Sequence, residues 1–294
     1  MLVYDNCFNN IGLFFLHKNQ QYDCNGDTMA IVYLVGGTGN QLFQYAASSS
    51  NDKFSNFFLK SFVRRRFGWT NHEEAISFPG APWYIQTLGI VLLSLDLILA
   101  TKFGFSLFSR LDLRRVQANA MISEINKFGY FQNDPQRRDI SHLATQISPD
   151  IHEGRIAVHV RGGDLLKIEH EGRNIYGMLN SDYFSDALEE IYGEITVGQR
   201  RDIAAMIITD DPEYASSLNI SPSGISNVEI CQLSLRETLS VAIGADWFVA
   251  SNSTLSYWII KLRDGKRCIA PKPFQKRCDF AMPSMTNRVL VNYK

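Results

Sequence analysis

Four short segments carry residues whose types and spacing suit the binding of an anion or the movement of a proton. The first is Gly36-Gly37-Thr38-Gly39-Asn40-Gln41-Leu42. A glycine turn between an apolar run and a helical pattern lets the backbone approach a phosphate or sugar beside the positive end of the helix dipole; the same pattern also serves a plain tight turn. It is not a P-loop, since no Gly-Lys-Ser/Thr follows. It also departs from the dinucleotide fingerprint: counted from Gly37 and Gly39, the third glycine position is Leu42.

The second segment is His159-Val160-Arg161-Gly162-Gly163-Asp164. With the strand period of two, His159 and Arg161 share one side while Val158 and Val160 bury the other. An arginine at the carboxyl end of a strand suits a two-pronged grip on phosphate; the competing reading is an ion pair between Arg161 and Asp164. The third is Thr209-Asp210-Asp211-Pro212-Glu213. A carboxylate at a strand end can accept two hydrogen bonds from the adjacent N–H donors of guanine, which adenine cannot match. Asp211 is equally suited to capping the next helix, and both roles can hold together. The spacing is not Asp-x-Asp, so no metal–diphosphate site is expected. The fourth, Ser251-Asn252-Ser253-Thr254, precedes the helical pattern of residues 255–262. Hydroxyls and backbone N–H groups at a helix start suit a diphosphate, or Ser253 simply caps the helix.

The elements that must hold these segments alternate between strand and helix. Residues 30–35 read as a strand and 40–50 as a helix, with a further strand expected near 127–131. After Pro149, residues 156–160 and 204–209 read as buried strands. Ser181 is expected to cap a helix whose apolar face includes Ala187, Leu188, Ile191, Tyr192 and Ile195. Pro212 fits the first turn of another helix. Ser234-Leu235-Arg236-Glu237 has the form of a capping box opening a helix that Gly244 can close, and residues 247–250 supply one more strand. This alternation predicts an α/β protein with largely parallel sheets in two halves. The expected division is 1–28 as a disordered or non-native extension preceding a natural start at Met29, 29–150 as an amino-terminal α/β domain, and 151–294 as a Rossmann-like domain.

Composition excludes other classes. Across 294 residues, 45% are apolar, 20% are charged and the net charge is −1, so the chain is globular and has no electrostatic pull toward nucleic acid. The Arg64-Arg65-Arg66 run reads as a solvated face or an acceptor-side feature rather than a nucleic-acid patch. Five cysteines without a Cys-x-x-Cys pair argue against a disulfide framework or a zinc site, and a cytoplasmic setting follows. The apolar stretch 83–101, broken by Asp96 and followed by Lys102, is read as a buried or interfacial helix rather than a span. It admits peripheral contact with the inner face of the membrane.

Together the segments resemble the α-1,2-fucosyltransferase family. Gly36-Gly37-Thr38-Gly39-Asn40-Gln41-Leu42-Phe43-Gln44-Tyr45-Ala46 is similar to its G-G-x-G-N-Q-x-F-Q-Y-A. Gly129-Tyr130-Phe131-Gln132 resembles its G-Y-F-Q, and His159 to Asp164 its H-x-R-R-x-D. Ser251-Asn252-Ser253-Thr254-Leu255-Ser256-Tyr257-Trp258 resembles its S-N-S-S-F-S-W-W, and Ile269-Ala270-Pro271-Lys272 its I-A-P-K. The match runs in order over nearly the whole chain. Gly162 departs from it, standing where a second arginine is expected.

The resemblance implies a GT-B-like α/β architecture, with two Rossmann-like halves facing across a cleft. It further implies inverting transfer of L-fucose from GDP-fucose to a glycan hydroxyl, the 2-OH of a terminal β-galactoside, with no metal or other cofactor. Carried onto matching positions, His159 and Asp211 lie near guanine. Arg161, Ser253 and Thr254 face the β-phosphate, and Gly37, Gly39 and Asn40 meet the sugar. Arg161 is the expected catalytic cation and Asp164 the candidate base. The expected partners are a GDP-sugar and an oligosaccharide or glycolipid-precursor acceptor. Another GDP-sugar as donor, or a degenerate nucleotide-sugar binder, stands as the alternative.

Overall fold

The computed structural model describes residues 30–34, 36–55, 78, 80–84, 86–88, 90–91, 95, 99, 102, 110–112, 120–122, 126–128, 136, 138–147, 149–150, 154–163, 166, 177–195, 203–220, 225, 227–263, 265–272 and 288–292. Asp164, residues 1–29, Arg64 to Arg66 and residues 129–132 lie outside the described residues. The chain divides into two compact units, one of Met1–His72 and Ser77–Arg138 and the other of Glu73–Ile76 and Asp139–Lys294.

In the first unit, β1 (Ile31–Tyr33) is followed by α1 (Thr38–Ala47) and β2 (Lys53–Ser55), then by β3 (Arg110–Asp112), β4 (Ala120–Ile122) and β5 (Asn126–Phe128). The sheet order is β2-β1-β5-β4-β3. β1 runs parallel to β2 and β5, and β3 and β4 are antiparallel additions. Buried Asp52 is compensated by backbone donors, accepting from Ala30 N–H at 3.0 Å and Ser49 N–H at 2.8 Å. Arg138 lies 4.8 Å from the Tyr45 ring centre and donates to the carbonyls of Ser49 and Asp52, fastening the end of α1 to β2.

The described residues among 83–102 are helical. Tyr84, Leu88, Val91 and Leu95, spaced four, three and four apart, are all exposed, and Trp83 is 77% exposed. These described side chains do not lie in a core. No described helix is long and apolar enough to cross a membrane.

The second unit is a six-stranded parallel sheet with helices between its strands. Its elements are α2 (Ser141–Ile147), β6 (Arg155–Val160), α3 (Ser181–Glu194), β7 (Ala204–Thr209), α4 (Pro212–Ser217), β8 (Asn227–Cys231), α5 (Leu235–Gly244), β9 (Trp247–Val249), α6 (Thr254–Leu262), β10 (Arg267–Lys272) and β11 (Arg288–Asn292). The order β11-β10-β9-β6-β7-β8 is consistent with a Rossmann-like fold. Ile156, Val158 and Val160 of β6 pack with Tyr183, Ala187, Leu188 and Ile191 of α3 and Ala215 of α4. The alternate residues Ala157 and His159 are buried too. A parallel sheet covered on both faces gives strands that are apolar throughout, so the period-two rule does not leave one face of β6 to solvent.

Local chemistry explains the helix starts. Asn180, not Ser181, caps α3: its side chain accepts from Tyr183 N–H at 3.1 Å, and Ser181 is the first helical residue. The Ser234–Glu237 capping box is present at α5. Gly244 is the last residue of α5, with Ala245 as its C-cap; the position is glycine for close packing, since a Cβ there would clash with the Asp150 carbonyl oxygen.

Candidate functional site

Strand order reverses between β6 and β9, and ligands of open α/β sheets bind beyond the carboxyl ends of strands at such a point. Three of the four chemical segments emerge there, after β6, β7 and β9. The turn after β9 runs through Ser251, Asn252 and Ser253 into α6. Ser253 caps that helix, its Oγ accepting from Ser256 N–H at 3.1 Å. The first turn of α6 contains no acidic residue, so the positive end of its dipole is not offset by a side chain of its own.

His159 is wired into this turn. Its Nδ1 lies 2.7 Å from Ser256 Oγ and 3.2 Å from Ser251 Oγ. Ser256 Oγ also accepts from Ser251 N–H at 3.0 Å, and the Ser251 hydroxyl donates to Ser253 Oγ. Burial, helped by the nearby Arg161 cation, lowers the His159 pKa to about 3, so the imidazole is neutral throughout the physiological range. Tyr183 fixes the same turn from the other side, donating to the Ala250 carbonyl at 2.7 Å.

Arg161 pairs with Asp210, Nη1 lying 2.5 Å from Oδ2, and the expected partner Asp164 lies outside the described residues. The other carboxylate oxygen of Asp210 accepts from Gly162 N–H at 2.9 Å. Asp211 caps α4, accepting from Tyr214 N–H at 3.0 Å through Oδ1, and takes Gly163 N–H at 3.3 Å through Oδ2. Both glycines are sterically required. A Cβ at Gly162 would lie 2.7 Å from the Asp211 Cβ and 2.9 Å from the Tyr214 ring. At Gly163, where φ is +46°, a Cβ would lie 2.6 Å from Asp210 Oδ2. The Tyr214 hydroxyl donates to the Leu179 carbonyl at 3.2 Å, and burial followed by the Asp211 charge pushes its pKa up.

A small hollow at this sheet end is lined by Val160, Arg161, Gly177, Met178, Leu179, Phe184, Tyr214, Ser251 and Asn252. Arg161 and the Ser251-Asn252 turn before α6 thus line the same hollow, together with apolar side chains, Gly177 and Tyr214. Thr254 opens α6 and is partly buried. Among the described residues, no group of three or more His, Cys, Asp or Glu side chains is arranged to hold a metal ion.

In the first unit, Gly36 takes a positive φ of 74° and Gly37 stands at the N-cap of α1. Asn40 N–H and Gln41 N–H both reach the Gly37 carbonyl, at 2.9 and 3.1 Å, and the Gln41 amide donates to the Gly36 carbonyl at 3.0 Å. No side chain caps this helix and its first turn holds no acid. Gly39 is buried, Asn40 is half-buried, and the Thr38 hydroxyl is buried with no hydrogen-bond partner.

Gly37, Gly39 and Asn40 are therefore gathered at one helix start in the first unit, and His159, Arg161, Asp211, Ser253 and Thr254 at one sheet end in the second. Sequence reasoning passed over Asp210, Ser251 and Ser256. Asp210 was visible as the neighbour of Asp211 at the same strand end, and the two serines as part of the hydroxyl-rich run before α6. The chain matches no protein-family model and no curated protein.

Proposed function

We propose that this chain is an inverting glycosyltransferase that moves L-fucose from GDP-fucose to a glycan hydroxyl, the 2-OH of a terminal β-galactoside, without a divalent metal. The observation that carries this reading is the shared hollow at the strand-order reversal. There a guanidinium stands beside the turn that opens a Ser253-capped helix. A cation and the Ser251-Asn252 turn that leads into α6 line one small hollow, a combination that suits an anionic group such as a phosphate. The motif order that resembles the α-1,2-fucosyltransferases points to fucose as the transferred sugar, and the galactoside acceptor follows by analogy with that family alone. It also supplies the GT-B-like pairing of two Rossmann-like halves, with the donor held mainly by the second.

In this reading the acceptor oxygen forms a bond to the fucose anomeric carbon as the bond from that carbon to the β-phosphate oxygen breaks. The electron pair leaves with GDP. Arg161 and the N–H groups at the start of α6, flanked by Ser253 and Thr254, stabilise the added negative charge. Asp211 and His159 stand on the guanine side. The buried His159 acts chiefly by holding the serine turn, and both oxygens of Asp211 already accept backbone N–H groups. Gly37, Gly39 and Asn40 serve the sugar end, and Asp164 is the candidate to take the acceptor proton. A loose, oxocarbenium-like transition state reduces the demand on that base.

Gly162 favours a second reading, in which the donor carries another sugar on GDP or the protein binds nucleotide sugar without turnover. The position holds no side chain, and Asp211 and Tyr214 fill the space one would need. Incubation with a panel of GDP-sugars and β-galactosides in EDTA separates these. Mass spectrometry and NMR of the product should show fucose joined with inversion. Transfer of a different sugar, or GDP binding without release of GDP from any donor, would displace the fucosyl assignment.

A further inference from the structure

We infer that Asp210 is a built-in competitor for the diphosphate, holding the Arg161 guanidinium and yielding it when the nucleotide enters. The inference rests on the functional reading above and extends it to a residue that the motif resemblance leaves without a role. Three features of the β6–β7 end carry it.

The carboxylate is engaged at both oxygens, by Arg161 Nη1 at 2.5 Å and by Gly162 N–H at 2.9 Å, so it lies along the turn rather than pointing into bulk water. The pair is only part-buried, with side-chain exposures of 29% for Arg161 and 32% for Asp210. An exchange of partners is therefore not opposed by a large desolvation cost. The turn is also fitted to the acid. A Cβ at Gly163 would strike Asp210 Oδ2, and one at Gly162 would strike Asp211 and Tyr214. At the position where the resembling pattern has a second cation, this chain has a glycine that makes room for its carboxylate-rich neighbour. The net change at the sheet end is one cation fewer, with an acid beside the cation that remains.

A diphosphate carries more negative charge than a carboxylate and offers several acceptor oxygens, so it outcompetes Asp210 for the guanidinium. The carboxylate nevertheless opposes binding in two ways: its pairing with Arg161 must be broken, and its charge stays close to the phosphates. It thereby sets how tightly GDP is held, and it recaptures Arg161 as the product departs.

The test is calorimetric titration of the full chain with GDP and, separately, with guanosine. Asp210→Asn keeps an oxygen for Gly162 N–H and removes the charge, so it should bind GDP about three- to tenfold more tightly than the parent. Guanosine affinity should be unchanged. In an Arg161→Ala background the same substitution should keep only the part of its effect that comes from charge repulsion, so its gain in GDP affinity should differ from that in the parent. A gain of affinity confined to the phosphate-bearing ligand is not the result of a loosened fold. Asp210→Ser, which is smaller and also neutral, should behave alike. GDP affinity that is unchanged or weaker in well-folded variants overturns the inference while leaving the diphosphate site intact. If neither variant folds, Asp210 is a structural tie and the inference is wrong. If the parent chain itself fails to bind GDP, the functional reading falls and takes this inference with it.

Discussion

Arg161 is asked to do the most. It is held by Asp210, lies on the wall of the hollow, and stands beside the turn before α6. Preorganised donors of this kind are worth about 3–4 kcal/mol at a developing charge. Arg161→Ala should therefore lower kcat/KM for GDP-fucose by at least about a hundredfold, and steady-state GDP release would show it; a loss under about threefold would remove the residue from the mechanism. His159 makes a different prediction. Its folded-state pKa of about 3 lies below the ordinary value of 6.5, so between those limits the unfolded chain binds a proton that the native chain does not. The stabilisation is complete above about pH 6.5 and declines as pH falls toward 3, by about 1.4 kcal/mol per unit. His159→Asn retains a polar atom near Nδ1 and cannot titrate. Its thermal midpoint should change less than the parent's between pH 6.5 and 4.5, and equal slopes would show that His159 is not the acid-sensitive group. The strand period put His159 and Arg161 on one side of β6, and the resemblance placed His159 near guanine; the sheet is covered on both sides, and the imidazole is buried against the serine network. Distances of that kind arise from packing that no local pattern specifies.

The element that presents the site is α6, and its rigidity depends on its far end. Arg263 is 2% exposed; it donates to the carbonyls of Ala242 and Ile243 at the end of α5, and to those of Asp246 and Arg267 at 3.0 Å each. Burial lowers its pKa to about 10, which still leaves it charged at neutral pH. One side chain thus closes the carboxyl ends of two helices and ties them to β9 and β10. Arg263→Leu would strand several buried carbonyls and should destabilise the second unit on the order of 3 kcal/mol, measured by denaturant unfolding. A change under about 1 kcal/mol would mean that water replaces the guanidinium there. Element types in this unit were legible because each start has a chemical marker. Pro212 follows the Asp211 cap, Ser234 and Glu237 form the capping box, and Ser253 opens α6. α3 was misread by one residue because Asn180 and Ser181 are both good caps and only the hydrogen bond to Tyr183 N–H distinguishes them. Arg263 gave no signal, since an arginine after a helix ordinarily faces solvent.

At the level of the molecule, two α/β units are each built around a sheet with parallel strands at its centre. The alternation of strand and helix made this class readable, and the order of strands in the second sheet explains why segments far apart in sequence converge. The pairing of β6 with both β7 and β9 is the part the sequence could not supply, because nothing local records which strands become neighbours. The exposed stripe of Tyr84, Leu88, Val91 and Leu95 shows the converse. Its apolar run is plain in the sequence, yet the described side chains are not in a core. What the proposed chemistry requires is a diphosphate held jointly by Arg161 and the start of α6. A crystal structure of the chain with GDP decides this directly. The diphosphate should lie within hydrogen-bonding distance of the Arg161 guanidinium and of backbone N–H groups at residues 253–255, with Asp210 displaced from Nη1. A diphosphate bound elsewhere, or one that leaves the start of α6 untouched, would contradict the proposed mechanism.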